Sequence, residues 1–323
     1  MLLAAMAMSL VACGSSSTGH PIPRSVISPA DALKVAQREL PQVLNANDVT
    51  LIDRLFESPS AEIQKAAIVS NAIQNIPGVT DIKAAAVKVF AAPQVLYPAQ
   101  FLATFEVSSA QLKIANGVEA AVFVQRAAGA PWKVHSLNPI DADVSLPTIT
   151  TDTNGFARMP AASTSLRVKP SALCSRAADL LALASSGGDY NNVATLKPYS
   201  TGTTMAYWLN FVKNRTATLA AGGSSSSDQF SADDSLVTDY AIAGGGVVQA
   251  CILEETFRET APVGKAYTQL DNRANLGTLV PPGSYQAVTY HAFYRVLVHL
   301  PAEVGDTLSF LGVTSFTVSG TPT

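Results

Sequence analysis

Charge is scarce in this sequence. Asp, Glu, Lys and Arg make up 14% of its 323 residues, and the net charge is −3. Basic runs are absent, as is any interleaving of basic with aromatic residues, so the electrostatic footprint that nucleic acid requires is missing. Histidine is scarce too. His20, His135, His291 and His299 are the four, and no two have metal-ligand spacing on a helix. No metal and no other cofactor is therefore expected. The sequence lacks Gly-x-Ser-x-Gly, His-Glu-x-x-His, Ser-x-x-Lys and Gly-x-x-x-x-Gly-Lys, which removes the common hydrolase, metalloprotease, acylase and phosphate-loop signatures. Gly244-Gly245-Gly246 precedes a strand pattern, whereas a phosphate cradle needs a helix after its glycines, so this run reads as a turn or bulge. Asp141-Ala142-Asp143 offers too few carboxylates for a calcium cage and reads as a solvated loop with weak cation affinity at most.

Basic residues are also missing from the start of the chain, where the first is Arg24. What is there is an apolar segment, residues 1–12, interrupted only by Ser9. It is shorter than the roughly 17–25 residues of a spanning helix and has the length of a signal-peptide core. No later apolar stretch is long enough to span a bilayer. Leu10-Val11-Ala12-Cys13 resembles the bacterial lipobox, and the resemblance implies cleavage before Cys13 and a diacylglycerol on its thiol. The missing basic start departs from that pattern and fits a start codon placed too late. A buried apolar segment with an ordinary free Cys is the alternative. The Gly/Ser/Thr-rich residues that follow cannot bury enough apolar surface to fold, so residues 13–27 read as a tether.

Only three cysteines are present, and with Cys13 assigned to lipid, Cys174 and Cys251 remain. In an oxidising compartment an even remainder points to a disulfide, with two buried free thiols as the alternative.

Hydrophobic residues reach 48%, enough for a sizeable core, and residues 28–323 are too many for one small domain. Ser28-Pro29-Ala30-Asp31 opens a helix, with Ser28 as N-cap, and a second helix is expected from Pro59 to Ile73. Alternation at Phe101, Ala103, Phe105 and Val107 then marks a strand, followed by Ala120–Val124, a turn at Ala128–Pro131 and a strand from Trp132 to Leu137. Residues 146–169 lack periodicity and read as an irregular connection. Pro170-Ser171 opens another helix, and one more is expected from Met205 to Leu219. Gly222–Ser227 reads as a flexible loop, and strands follow at Val237–Ala243, Val247–Arg258, Ala287–Leu300 and Thr307–Val318.

The expected class is α+β: two similar domains, 28–145 and 170–323, each with leading helices packed on a curved antiparallel sheet. Helices first, then such a sheet, with Ala130-Pro131-Trp132-Lys133-Val134 near the end of the first, resemble the NTF2-like and cystatin-like architecture. Together with the lipobox, the pattern is similar to a group of actinobacterial lipoproteins without a settled activity.

In Ala287–Leu300, one face carries Val288, Tyr290, Ala292, Tyr294, Val296, Val298 and Leu300, which is core. The other mixes Thr289, His291, Phe293, Arg295, Leu297 and His299. If the mixed face lined an NTF2-like pocket, His291, Phe293 and Arg295, with Glu255 from a neighbouring strand, could hold an anionic or amphipathic ligand. Otherwise it meets solvent or the sister domain. The expected function is that of a lipid-anchored envelope protein that binds an envelope protein or small ligand, or acts as a scaffold, on the outer side of the cell membrane, without catalysis. The alternatives are an isomerase or dehydratase using His291 with Glu255, and a hydrophobic-ligand carrier.

Overall fold

The computed structural model describes residues 25–73, 77–160, 166, 169–192, 199–233, 236, 239–266, 280, 283–302 and 307–323. Cys13 and the apolar leader lie outside the described residues.

The first half begins with α1 (Pro29–Leu44), α2 (Val49–Leu55) and α3 (Ser60–Ile73). The Asp31 backbone N–H donates to Ser28 Oγ at 3.1 Å, and Ser28 Oγ donates to Asp31 Oδ2 at 2.8 Å, which satisfies the start of α1. Ala32, Val35, Ala36, Leu40 and Val43 are buried along one stripe of that helix. Four antiparallel strands follow in sequence order: β1 (Lys83–Ala91), β2 (Ala99–Ser109), β3 (Ile114–Gln125) and β4 (Lys133–Ile140). Phe101, Ala103, Phe105 and Val107 turn one face of β2 toward the helices, as their alternation requires. Phe101 stacks on Phe123 with centroids 4.9 Å apart, and Trp132 closes over Phe101 at 5.1 Å.

The second half carries α4 (Pro170–Ser185), the two-residue β5 (Tyr199–Ser200), α5 (Gly202–Ala221), β6 (Ser225–Asp233), β7 (Asp239–Ala241), β8 (Val247–Thr260), β9 (Ala287–Leu300) and β10 (Leu308–Pro322). β6, β8, β9 and β10 form an antiparallel meander, β5 adds in parallel beside β10, and β7 pairs with β8. Both halves therefore place helices before a four-stranded meander. The protein is α+β. The helices of the second half cover Ala292, Tyr294, Val296, Val298 and Leu300, the face read as core. A disulfide joins Cys174 on α4 to Cys251 on β8, with Cα atoms 5.4 Å apart and a sequence separation of 77.

Two expectations need correction. Ser225–Ser227, read as loop, begin β6. The polar alternation of Ser225 to Ser231 leaves every second residue exposed on an edge strand, and that lack of apolar residues hid it. Residues 146–169 are not simply irregular. Thr150 N–H donates to Ala241 O at 2.8 Å, Ala243 N–H to Thr148 O at 2.8 Å, and Ala157 N–H to Ala91 O at 2.9 Å. The connection is thus stitched to both halves. Its anchors, Ile149 and Ala157, are buried with Leu102, Ala120, Val122 and Val124 of the first sheet and Val248, Leu297 and Leu311 of the second. Isolated apolar residues in a polar stretch carry no period, so the sequence could not announce them. β4 also crosses β10 so closely that a Cβ on Gly312 would overlap the Pro139 carbonyl.

Candidate functional site

The structure separates the four residues expected to line a pocket. In the β8–β9 register Glu255 pairs with Ala292, and Thr256 pairs with His291. Antiparallel partners share a face, so Glu255 points under the helices, whereas His291, Phe293 and Arg295 point the other way. The proposed acid–base pair of His291 with Glu255 is therefore corrected: a sheet lies between them. His291 Nδ1 sits 3.7 Å from Glu254 Oε1, and both side chains are substantially exposed.

Arg295 is buried where the second sheet meets the first half. Its Nε donates to Thr314 Oγ1 at 3.2 Å. Burial pulls its pKa down to about 10, against the opposing charge of Glu119 on β3. Burial in turn raises the Glu119 carboxyl, with Arg295 pulling against it. Among the described residues, Arg295 Nη1 and Glu119 Oε2 have no hydrogen-bond partner. The mixed face of β9 thus serves partly as the contact with the first half.

Beneath the helices, Glu255 belongs to a buried ion cluster. α5 supplies Arg215, β6 supplies Asp228, β8 supplies Glu255, β9 supplies Tyr294 and the end of α4 supplies Ser185. Arg215 Nη2 donates to Asp228 Oδ2 at 2.7 Å and to Glu255 Oε1. Tyr294 OH donates to Glu255 Oε2 at 2.9 Å, and Ser185 Oγ donates to Asp228 Oδ2. The guanidinium carbon lies over the Phe257 ring, 3.7 Å from its centroid. Burial pushes Glu255 up to about 7; Arg215 pulls it down, and the adjacent Asp228 pushes it up further. Desolvation pulls Arg215 down, but its two carboxylates outweigh this and leave it raised. Burial, and then Glu255, hold the Tyr294 phenol well above its ordinary value. Two carboxylates facing one guanidinium share charge poorly, so this is a site that can hold a proton near neutral pH. Glu255 was singled out from sequence. Arg215, Asp228 and Tyr294 were not grouped with it, because they come from separate elements and carry no spacing signal.

A second cluster lies in the first half. Glu57 accepts from Arg126 Nε and Nη2, both at 2.9 Å, and lies 2.8 Å from His135 Nδ1. Burial would raise Glu57, but the hydrogen bonds from His135 and Arg126 outweigh it and the pKa is lowered. The cluster ties the α2–α3 turn to β4, where Ser60 Oγ also donates to His135 O at 2.5 Å.

Asp141, expected in a solvated loop, is buried, whereas Ala142 and Asp143 beside it are exposed. Thr204 N–H donates to Asp141 Oδ2 at 2.9 Å, and Thr203 Oγ1 donates to Asp143 Oδ2 at 3.0 Å. The end of the first half thus caps the N-terminus of α5 in the second, where carboxylates meet unpaired N–H groups and the positive end of the helix dipole. Among the described residues, no three His, Cys, Asp or Glu side chains gather as metal ligands. A groove of about 370 Å³ runs between the first sheet and the connection, lined by Lys88, Phe90, Thr104, Glu106, Val118 and Leu146 among others.

Fold and clusters together define an α+β protein of two helix-on-meander halves joined through a shared core. The family described as a domain of unknown function (DUF8094) matches residues 42–321, and the chain belongs to that family. The matched range takes in strands and helices of both halves. No curated protein and no solved structure matches the sequence. Among the described residues, no helix is long and apolar enough to cross a membrane.

Proposed function

We propose that this is a lipid-anchored envelope protein, held by acyl chains on Cys13 at the outer side of the cell membrane, whose two halves act as a non-enzymatic binding or scaffold module. The observation that carries the reading is the apolar leader ending in Leu10-Val11-Ala12-Cys13. The disulfide between Cys174 and Cys251 adds support, since such bonds persist in oxidising compartments. Each acyl methylene buried in lipid contributes about 0.8 kcal/mol, so two or three chains hold a protein stably where one does not. Each half has the helix-then-meander order of NTF2-like and cystatin-like domains, which we take as its architecture. The bound partner is an envelope protein or a small ligand. Metabolic labelling with palmitate tests the anchor: the wild-type chain should take label and Cys13→Ala should not. An unlabelled wild type refutes it.

One observation favours a second reading, an NTF2-like enzyme or ligand carrier using the second half. Glu255, raised to about 7 beside Tyr294 and Arg215, occupies the space between helices and sheet where such a pocket would lie. On this reading Glu255→Gln abolishes turnover or binding of a small hydrophobic ligand without unfolding the protein. Unchanged ligand binding in that variant removes the reading.

A further inference from the structure

The loop between β1 and β2, residues 92–98, reads Ala-Pro-Gln-Val-Leu-Tyr-Pro and carries no charge. Its tip is an apolar projection: Val95 is 53% exposed, Leu96 77% and Tyr97 39%. At the base of the loop, Ala91 O accepts from Ala157 N–H. A glutamine holds the loop in shape. Gln94 Nε2 donates to Gln100 O at 2.6 Å, and Gln100 N–H donates back to Gln94 Oε1 at 2.8 Å. Such exposure is costly in water unless something covers it.

The position of the loop names the cover. The first described residues are fastened to it: Gln94 N–H donates to Ser25 Oγ at 3.1 Å, and Val26 N–H donates to Gln94 O at 2.6 Å. The chain arriving from Cys13 therefore enters the fold at this loop. Fully extended, residues 14–24 reach about 40 Å at most. A lipid on Cys13 thus keeps this end of the molecule within that distance of the bilayer, where the loop can reach the surface. The opposite end of the first sheet, at the β2–β3 turn, is about 35 Å away along β2.

We propose that Val95-Leu96-Tyr97 is a membrane-contacting loop, seated in the surface of the bilayer that holds the lipid on Cys13. The proposal rests on the lipoprotein reading. The loop gives the anchored protein an orientation: Leu96 and Val95 enter the acyl boundary and Tyr97 lies at the headgroup level, as amphipathic rings do. The β2–β3 turn then points away from the membrane.

Brominated lipids test this. The lipidated full chain is placed in phosphatidylethanolamine–phosphatidylglycerol vesicles with brominated acyl chains, and tryptophan emission is compared for Leu96→Trp and Leu112→Trp. Leu112 is 46% exposed in the β2–β3 turn and serves as the far-end control. Trp132 and Trp208 set a background that the wild-type chain supplies. The added emission of Leu96→Trp should fall about twofold or more, and that of Leu112→Trp should not change. Near-UV circular dichroism verifies that both variants fold. If the protein floats with vesicles but Leu96→Trp is unquenched, the loop proposal is overturned and the anchor reading stands. If the wild type takes no lipid and does not float, the anchor reading fails and the loop proposal falls with it. If sedimentation finds a dimer that Leu96→Ser dissociates, with no quenching, the loop is a contact between copies and the proposal is overturned.

Discussion

Replacing Glu255 by Gln should make the protein more stable at pH 8 and flatten its stability between pH 5 and 8. Burial raises this carboxyl from 4.5 to about 7 in the folded protein. Below 4.5 the carboxyl is protonated in both states, and its contribution to stability is fully present. As the pH rises above 4.5, the unfolded chain releases its proton while the folded protein still holds it. Stability therefore falls, and the loss is complete once the pH passes about 7. At about 1.4 kcal/mol per unit, this gap comes to about 3 kcal/mol. The substituted amide is neutral at every pH. Its oxygen can still accept from Arg215, and its nitrogen can donate to the Tyr294 hydroxyl, so the cluster keeps its contacts. Asp239, raised by burial to about 6, contributes a slope of the same sign that the substitution leaves in place. The assay is urea unfolding at several pH values, followed by the fluorescence of Trp208, whose ring meets that of Tyr294 edge-on at 5.5 Å. A wild-type slope in Glu255→Gln would refute the reasoning.

Other perturbations follow from the joints between elements. Gly312→Ala places a Cβ on the Pro139 carbonyl where β4 crosses β10. It should cost about 1–3 kcal/mol by forcing the halves apart, read as a lowered urea midpoint. Asp141→Ala removes the acceptor of Thr204 N–H and should cost about 1 kcal/mol, whereas Asp141→Asn should recover part of this; thermal unfolding of the pair distinguishes a cap from a mere surface charge. Replacing Cys174 and Cys251 together by Ala should lower stability by about 4 kcal/mol on the chain-entropy account of a loop that long. The denaturation midpoint with and without reductant should differ in the wild type and coincide in the double variant.

What the sequence made legible was whatever carries a local period or a local stop. α1 begins at Pro29 after the Ser28 cap, and β9 runs from Ala287 to Leu300, both as read from the residues. The two faces of β9 sort as alternation demands, and the two cysteines left after Cys13 pair. α2, seven residues long, and β1, rich in alanine and broken by a bulge between Ala85 and Lys88, had no such period and were missed. The site was half legible. Glu255 stood out as a charge on an apolar strand, but which face it took depended on the register of β8 against β9. That register is set by contacts far apart in sequence. Reading His291 and Glu255 as neighbours required a register shifted by one residue, and one residue reverses every side chain.

The same reversal explains why so weakly charged a chain places ions inside. β8, β9 and β10 are 14, 14 and 15 residues long and run with apolar faces that repeat every two residues. A slip by two would leave those faces matched and cost little apolar burial. The ion cluster is what such a slip cannot preserve. Asp228 and Glu255 meet Arg215 Nη2 from adjacent strands, and moving β6 two residues along β8 would carry Asp228 about 7 Å from its place. The slip would part Asp228 from Arg215 and leave that carboxylate without its guanidinium. Tyr294 applies the same constraint to β9 through its bond to Glu255. On the other face, Gly312 admits the Pro139 carbonyl at a single position along β10. Polar contacts on one face and a steric gap on the other thus select one alignment among several that the hydrophobic pattern alone would allow.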